Sequence, residues 1–179
     1  MSVETIEEGL FCIGNSDAVS LQVIFNIFRQ RIITQLLPVA KENRVGIIAR
    51  VPLASGLLSG KFSRDHKFGE NDHRSFNCDG QLFNVGETFA GVPFGRGVEL
   101  AGRVADLLGE ECHGASLAQK SLRWVLDHES VTTVIPGAKN AVQARENAEV
   151  SGMASLSDKA HAELLELYEA QIDAKERGR

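Results

Sequence analysis

Apolar residues fall into short groups along the chain, and their spacing changes from group to group. Over residues 4–11, Ile6 and Leu10 share a face with Ile13, behind Ser2 and an acidic first turn, which predicts a helix capped by Ser2. Residues 21–28, Leu-Gln-Val-Ile-Phe-Asn-Ile-Phe, are almost all apolar and predict a buried strand. Gln22 and Asn26 are an even number of residues apart and would share one side of it. A short helix at 36–42, with Pro38 tolerated in its first turn, leads to a second strand over 45–51. Residues 52–61 read as a loop of small residues ending in Lys61. Residues 62–95 are rich in Gly, Asn, Asp and Phe with no period, the mark of a long irregular excursion of the kind that carries function.

Periodicity returns with Leu100, Val104, Leu107 and Leu108, which predict an amphipathic helix over 97–108 closed by Gly109. A second helix runs from its Ser116 cap through Leu117, Leu122, Val125 and Leu126. The β-branched run 131–135 predicts a buried parallel strand. Helices over 142–150, capped by Asn140, and 158–174 follow, and 175–179 reads as a frayed tail. The order, α-β-α-β-loop-α-α-β-α-α, predicts parallel strands joined by right-handed crossovers in a single domain, 1–179.

Composition narrows the function class. At 179 residues, 43% hydrophobic and 24% charged, the chain suits a globular domain with a sizeable core. A net charge of −5 without a long basic run argues against nucleic acid as a partner. No apolar stretch approaches the roughly 18 residues that span a bilayer, so no membrane partner is expected. The acidic start Met1–Glu8 is unlike a signal peptide. Cys12, Cys78 and Cys112 lack paired metal spacing, as do His66 and His73. No metal site is expected, and a reduced, cytoplasmic setting is.

The candidate chemistry lies in the stretch 131–147. Its strand ends at Pro136-Gly137, and Asn140 opens a helix, so several backbone N–H groups and the positive end of a helix dipole meet at one turn. That turn suits an anion. Lys139 lies in it and Arg145 one to two turns beyond, which suggests phosphate; a plain strand-to-helix connection is the alternative.

The wording of several stretches resembles the aldo-keto reductases. They are Ile135-Pro-Gly with Gln143 and Glu146-Asn147, Phe25-Asn-Ile-Phe-Arg-Gln-Arg31, Gly86–Gly91, 116–128, and 48–62, which contains the Ala-Arg-Val-Pro-Leu of a bacterial branch. The resemblance implies an α/β fold, part of a (β/α)8 barrel with strands six to eight and their helices, and an NADP(H)-linked oxidoreductase acting on a small carbonyl or alcohol. It implies that Gly137, Ala138 and Lys139 contact the adenosine 2′-phosphate, with Gln143, Glu146 and Asn147 flanking the adenine. Ser2 and Gln22 would hold the nicotinamide carboxamide, Arg50 would lie where many relatives stack an aromatic, and Val51, Leu53, Gly56, Leu58 and Lys61 would cover the pyrophosphate. Val3 stands where relatives often have Asn. The family's catalytic Tyr, Asp, Lys and His belong to strands earlier than those matched here, so no catalytic residue is assigned; Tyr168, in the last helix, is a poor substitute.

Other readings stay open from sequence. Arg50 reads equally as a rim residue paired with a carboxylate, Gln22 and Asn26 as bonded to each other or to backbone, and Lys61 and Lys139 as solvated. His128 reads as complementing a helix C-terminus. Three strands leave two open edges, which points alternatively to an inactive cofactor-binding module that self-associates or pairs with a separate half, or to a truncated fragment.

Overall fold

The computed structural model describes residues 1–77, 88–89 and 92–172. Cys78, most of the stretch Gly86–Gly91 and the expected tail at 175–179 lie outside the described residues. The elements are α1 (Ile6–Asn15), β1 (Ser20–Ile24), α2 (Ile32–Glu42), β2 (Gly46–Arg50), α3 (His73–Phe76), α4 (Phe94–Leu107), α5 (Leu117–Leu126), β3 (Val131–Ile135), α6 (Ala141–Glu149) and α7 (Asp158–Gln171). Short 3₁₀ turns occupy Ala54–Ser59 and Val150–Gly152. The three strands form one parallel sheet in the order β1-β2-β3.

Several boundaries differ from expectation, each for a local reason. Helix α1 is capped by Thr5, not Ser2: the Thr5 hydroxyl accepts from the Glu8 amide at 3.1 Å, while the Glu8 carboxylate accepts from the Glu4 and Thr5 amides at 2.8 and 3.2 Å. This reciprocal arrangement satisfies three otherwise unpaired donors, and Ser2 has no acidic partner at the matching offset. Ser2 instead makes a parallel bridge with Gln22, adding a short stub beside β1.

Strand β1 stops at Ile24, well before Phe28. The Asn26 side chain accepts from the Phe28 amide at 2.9 Å and its carbonyl accepts from the Arg29 amide at 2.9 Å, which turns the chain. The turn is buried throughout, and its polar groups are satisfied internally. Gln30, for instance, donates to the Ile27 and Leu164 carbonyls at 2.8 and 3.1 Å.

Helix α2 begins at Ile32, which leaves Pro38 in its interior. The missing N–H would have served the Thr34 carbonyl, and Thr34 and Pro38 both lie on the exposed face, where the carbonyl is open to solvent and the proline is tolerated. Helix α4 begins at Phe94, earlier than expected. Phe94 and Val98 pack against the core, and Gly97 lets the helix close on Leu57, whose Cδ1 would lie 2.6 Å from an added Cβ.

The core is built from Leu21, Phe25, Ile47, Leu57, Leu100 and Trp124, all essentially inaccessible to solvent. Strands β1 and β2 contribute Leu21, Val23, Ile47 and Ala49 to it. Strand β3 differs from the buried strand expected: only Val131 is buried, whereas Thr132, Thr133 and Ile135 are exposed. Among the described residues β2 is its single strand neighbour, and α6, which follows it, buries no residue. Among the described residues, no helix is long and apolar enough to cross a membrane.

Candidate functional site

Strand register decides what meets at the carboxyl edge of the sheet. Ile24, Arg50 and Ile135 stand side by side as the last residues of β1, β2 and β3. The loops leaving that edge therefore converge, as they do around ligands in open or closed parallel sheets. On the far side of β1, the Gln22 amide donates to the Met1 carbonyl at 2.7 Å and its carbonyl accepts from the Val3 amide at 3.1 Å. This places Ser2 and Gln22 side by side one strand away from Arg50. Asn26 does not join them, because the chain has left the strand by then. Its Nδ2 donates to the Val51 carbonyl at 3.0 Å, so Asn26 braces the loop after β2 and pairs with backbone rather than with Gln22.

Arg50 reaches across the edge, and its Nη2 donates to Glu4 Oε1 at 2.5 Å. The carboxylate-paired reading is thus present in the structure. Arg50 Nε is buried and has no hydrogen-bond partner among the described residues. A buried donor without an acceptor costs about 1–3 kcal/mol.

The chain after Arg50 is strained. Val51, Ala54 and Ser55 have φ of 53°, 47° and 55°, and Gly56 follows at 98°. Left-handed residues other than glycine cost on the order of 1–3 kcal/mol each and persist only where the surroundings hold them. Here the Ala54 amide donates to the Val51 carbonyl at 3.1 Å and the Gly56 amide to the Leu53 carbonyl at 2.9 Å. Leu53, in the bridge region, precedes left-handed Ala54. The stretch expected to be a plain loop is thus a folded 3₁₀ turn. Val51, Leu53 and Gly56 are half-buried along it, and Lys61 is exposed beyond it. Leu58 is wholly buried, so its side chain belongs to the core and not to a ligand surface.

At the neighbouring loop, Gly137, Ala138 and Lys139 are all exposed. Asn140 caps α6, accepting from the Gln143 amide at 2.9 Å. Gln143 Oε1 accepts from the Lys139 amide at 2.7 Å, and Asn147 Nδ2 donates to the Gly137 carbonyl at 3.3 Å. These two side chains shape the turn, while Glu146 and Arg145 point to solvent.

Sequence reasoning missed two clusters. The excursion after Lys61 carries its own aromatic group, in which Phe62, Phe68, Phe89 and Phe94 meet with ring centroids 5.1–6.0 Å apart. Arg74 lies over Phe62 and Phe68 and is gripped by Asp72. The recurrence of Phe in 62–94 was the available signal. The second cluster joins α5 to α7. Asp127 pairs with Arg123 at 2.9 Å, with His161 at 3.0 Å and with the Leu156 amide at 3.0 Å. Burial works against the charged Asp127 carboxylate, but hydrogen bonds from His161, the Leu156 amide and Ser155, aided by the Arg123 charge, hold its pKa below the ordinary value. His128 contacts the Trp124 and Val125 carbonyls through Nδ1. Burial, reinforced by the nearby His161, depresses its pKa, so a neutral ring donating to carbonyls replaces the charged helix-end partner expected. Among the described residues, no cluster of three His, Cys, Asp or Glu side chains could hold a metal ion.

The Aldo/keto reductase family model matches residues 2–169. The chain belongs to the aldo/keto reductase family. It is 32% identical over 146 residues to the L-glyceraldehyde 3-phosphate reductase of Escherichia coli (strain K12), covering 77% of this chain and 40% of that protein. It is 25% identical over 133 residues to the aldo-keto reductase YhdN of Bacillus subtilis (strain 168), covering 74% and 37%. Among solved structures, glycerol dehydrogenase AKR11B4 from Gluconobacter oxydans superposes with a TM-score of 0.72 at 24% identity, over 96% of this chain and 48% of that one. The holo form of aldo-keto reductase AKR11C1 from Bacillus halodurans gives 0.64 at 18% identity, over 98% and 52%. The fold is therefore that of part of a (β/α)8 barrel. The chain spans less than half the length of the curated relatives it matches.

Proposed function

We propose that this chain is the NADP(H)-holding portion of an aldo-keto reductase-type oxidoreductase that acts on a small carbonyl or alcohol. The observation that carries the reading is the convergence of three features at one sheet edge: the Arg50 guanidinium, the turn 51–56 with its left-handed Val51, Ala54, Ser55 and Gly56, and the exposed loop Gly137–Lys139. Arg50 and Lys139 bring positive charge to it, and together the three suit an elongated ligand with anionic groups at its middle and end. The residues fit NADP(H) in that sense. Ser2 and Gln22 would hold the carboxamide, Arg50 would lie against the nicotinamide, the turn from Val51 through Gly56 to Lys61 would line the pyrophosphate, and Lys139 would meet the 2′-phosphate. Gln143, Glu146 and Asn147 would border the adenine. When bound, the cofactor supplies or accepts a hydride at the nicotinamide.

The proton that accompanies hydride transfer needs a donor beside the carbonyl. Arg50 and Lys139 are assigned here to the cofactor, and Tyr168 is buried in α7. We infer that the carbonyl-side acid lies outside these strand-edge residues. Titration with NADPH, followed by its own fluorescence, tests the cofactor reading. Lys139→Ala should weaken NADPH about tenfold, equivalent to about 1.4 kcal/mol, and leave NADH unchanged. Equal loss for both cofactors would remove Lys139 from the 2′-phosphate.

A second reading, self-association, is favoured by the exposed face and free edge of β3 together with the exposed apolar side chains of Phe11, Val19, Ile135 and Val142. Sedimentation at micromolar concentration decides it: a monomer throughout rejects this reading.

A further inference from the structure

Among the described residues, Arg74 hydrogen-bonds the excursion after Lys61 to the strained turn. Its Nη1 donates to the Ser55 carbonyl at 3.1 Å, its Nε to Asp72 Oδ1 at 2.8 Å and its Nη2 to Asp72 Oδ2 at 2.5 Å. The guanidinium carbon lies 4.6 Å from the Phe68 ring centre and 5.4 Å from that of Phe62. Hydrogen bonds from Arg74 hold the Asp72 carboxyl well below its usual pKa, so the pair stays charged across any working pH. Phe62 and Phe68 fix the plane of the fork, and Asp72 fixes its direction.

What the fork aims at is a single peptide group. Because a peptide is planar, gripping the Ser55 carbonyl also sets the direction of the Gly56 N–H, which closes on the Leu53 carbonyl at 2.9 Å. Space is tight there: an added Cβ at Gly56 would lie 3.1 Å from Phe62 and 3.3 Å from Arg74 Nη1. Ser55, at φ 55°, is one of the non-glycine left-handed residues whose shape depends on an outside constraint, and the Arg74 fork lies on its carbonyl.

We propose that Arg74 is a positioning residue for the pyrophosphate grip, holding the left-handed Ser55 and Gly56 of the turn 53–56 in place from the excursion side. This rests on the NADP(H) reading above. The grip at the middle of the dinucleotide is therefore set by a residue that does not itself touch the cofactor. Lysine replaces it only in part, since one ammonium cannot reach the Ser55 carbonyl while also bonding both Asp72 oxygens and stacking on two rings.

Binding of three probes to the full chain separates this from a general loss of structure. NADPH and 2′-phospho-ADP-ribose both carry the pyrophosphate; adenosine 2′-monophosphate reaches only the turn after β3. Arg74→Ala should weaken the first two about tenfold, or about 1.4 kcal/mol, and leave the third unchanged. Arg74→Lys should recover part of that loss, to within about two- to fivefold of wild type on the two pyrophosphate probes. Unchanged NADPH affinity in Arg74→Ala, or an equal loss on all three probes, overturns the proposal. If Arg74→Ala does not fold, Arg74→Lys decides alone: loss confined to the pyrophosphate probes supports the proposal, and no loss ends it. Failure of the wild-type chain to bind NADPH and adenosine 2′-monophosphate alike overturns the cofactor reading itself, and this one with it.

Discussion

Strands β2 and β3 are adjacent and parallel, and β3 is the richer in β-branched residues, yet β3 is the less buried of the two. In β2, Ile47 and Ala49 are wholly inaccessible, and both edges are paired. In β3, Ile135 is 50% exposed, Thr132 and Thr133 face solvent, and one edge has no strand beside it among the described residues. The contrast extends to the helices that follow. Helix α2 buries Ile32, Leu36, Leu37 and Ala40, whereas α6 buries nothing. Composition records a strand's capacity to be covered; burial depends on what is present to cover it. The two halves of the proposed grip inherit this difference, with the β2 side rigidly braced and the β3 side resting on a few hydrogen bonds.

Stability measurements can break or sharpen that comparison. The largest effect should come from Ile47→Ala, about 2–5 kcal/mol by urea denaturation, because it opens a cavity in a closed part of the core. Asn26→Ala should follow, at about 1–3 kcal/mol, since it strips a bond from the Val51 carbonyl and another from the Phe28 amide in a buried turn. Retention of wild-type stability there would show that the loop after β2 is not braced from β1.

Acid should act next, through the α5–α7 junction. His128 has a depressed pKa when folded, so the unfolded chain binds more protons just below the ordinary histidine value of 6.5, and stability falls as pH drops from there. Asp127, also depressed, adds a second loss as pH falls below its ordinary value of 3.8. Melting temperatures between pH 8 and 5 should decline on acidification, and His128→Gln should flatten that decline. The smallest effect belongs to Ile135→Ala, within about 0.5 kcal/mol for a chain that stays monomeric. A loss as large as that of Ile47→Ala would mean the face of β3 is covered in solution.

Much of the fold was legible from residue pattern. The bounds of β3, the Ser116 and Asn140 caps and the parallel order follow from local signals that the folded chain keeps. The misreadings arise where a distant partner decides. Thr5 outcompetes Ser2 because Glu8 lies three residues on, and Ser2 is claimed by Gln22. Asn26 looked like a strand residue until its side chain found Phe28 and Val51. For the candidate site, sequence named Arg50 and Lys139 but not what holds the loops: Arg74 and Asp72 sit in a stretch without period, and their role depends on Ser55, nineteen residues before Arg74. The strain at Val51, Ala54 and Ser55 carries no compositional signature, since these residues seldom adopt left-handed angles.

Gln143 fills the turn after β3 from within the chain. Its side-chain oxygen already accepts from the Lys139 N–H, in the manner of an anion's oxygen. Under the cofactor reading proposed above, the 2′-phosphate would displace that oxygen, so filling the turn would be an exchange and not a simple capture.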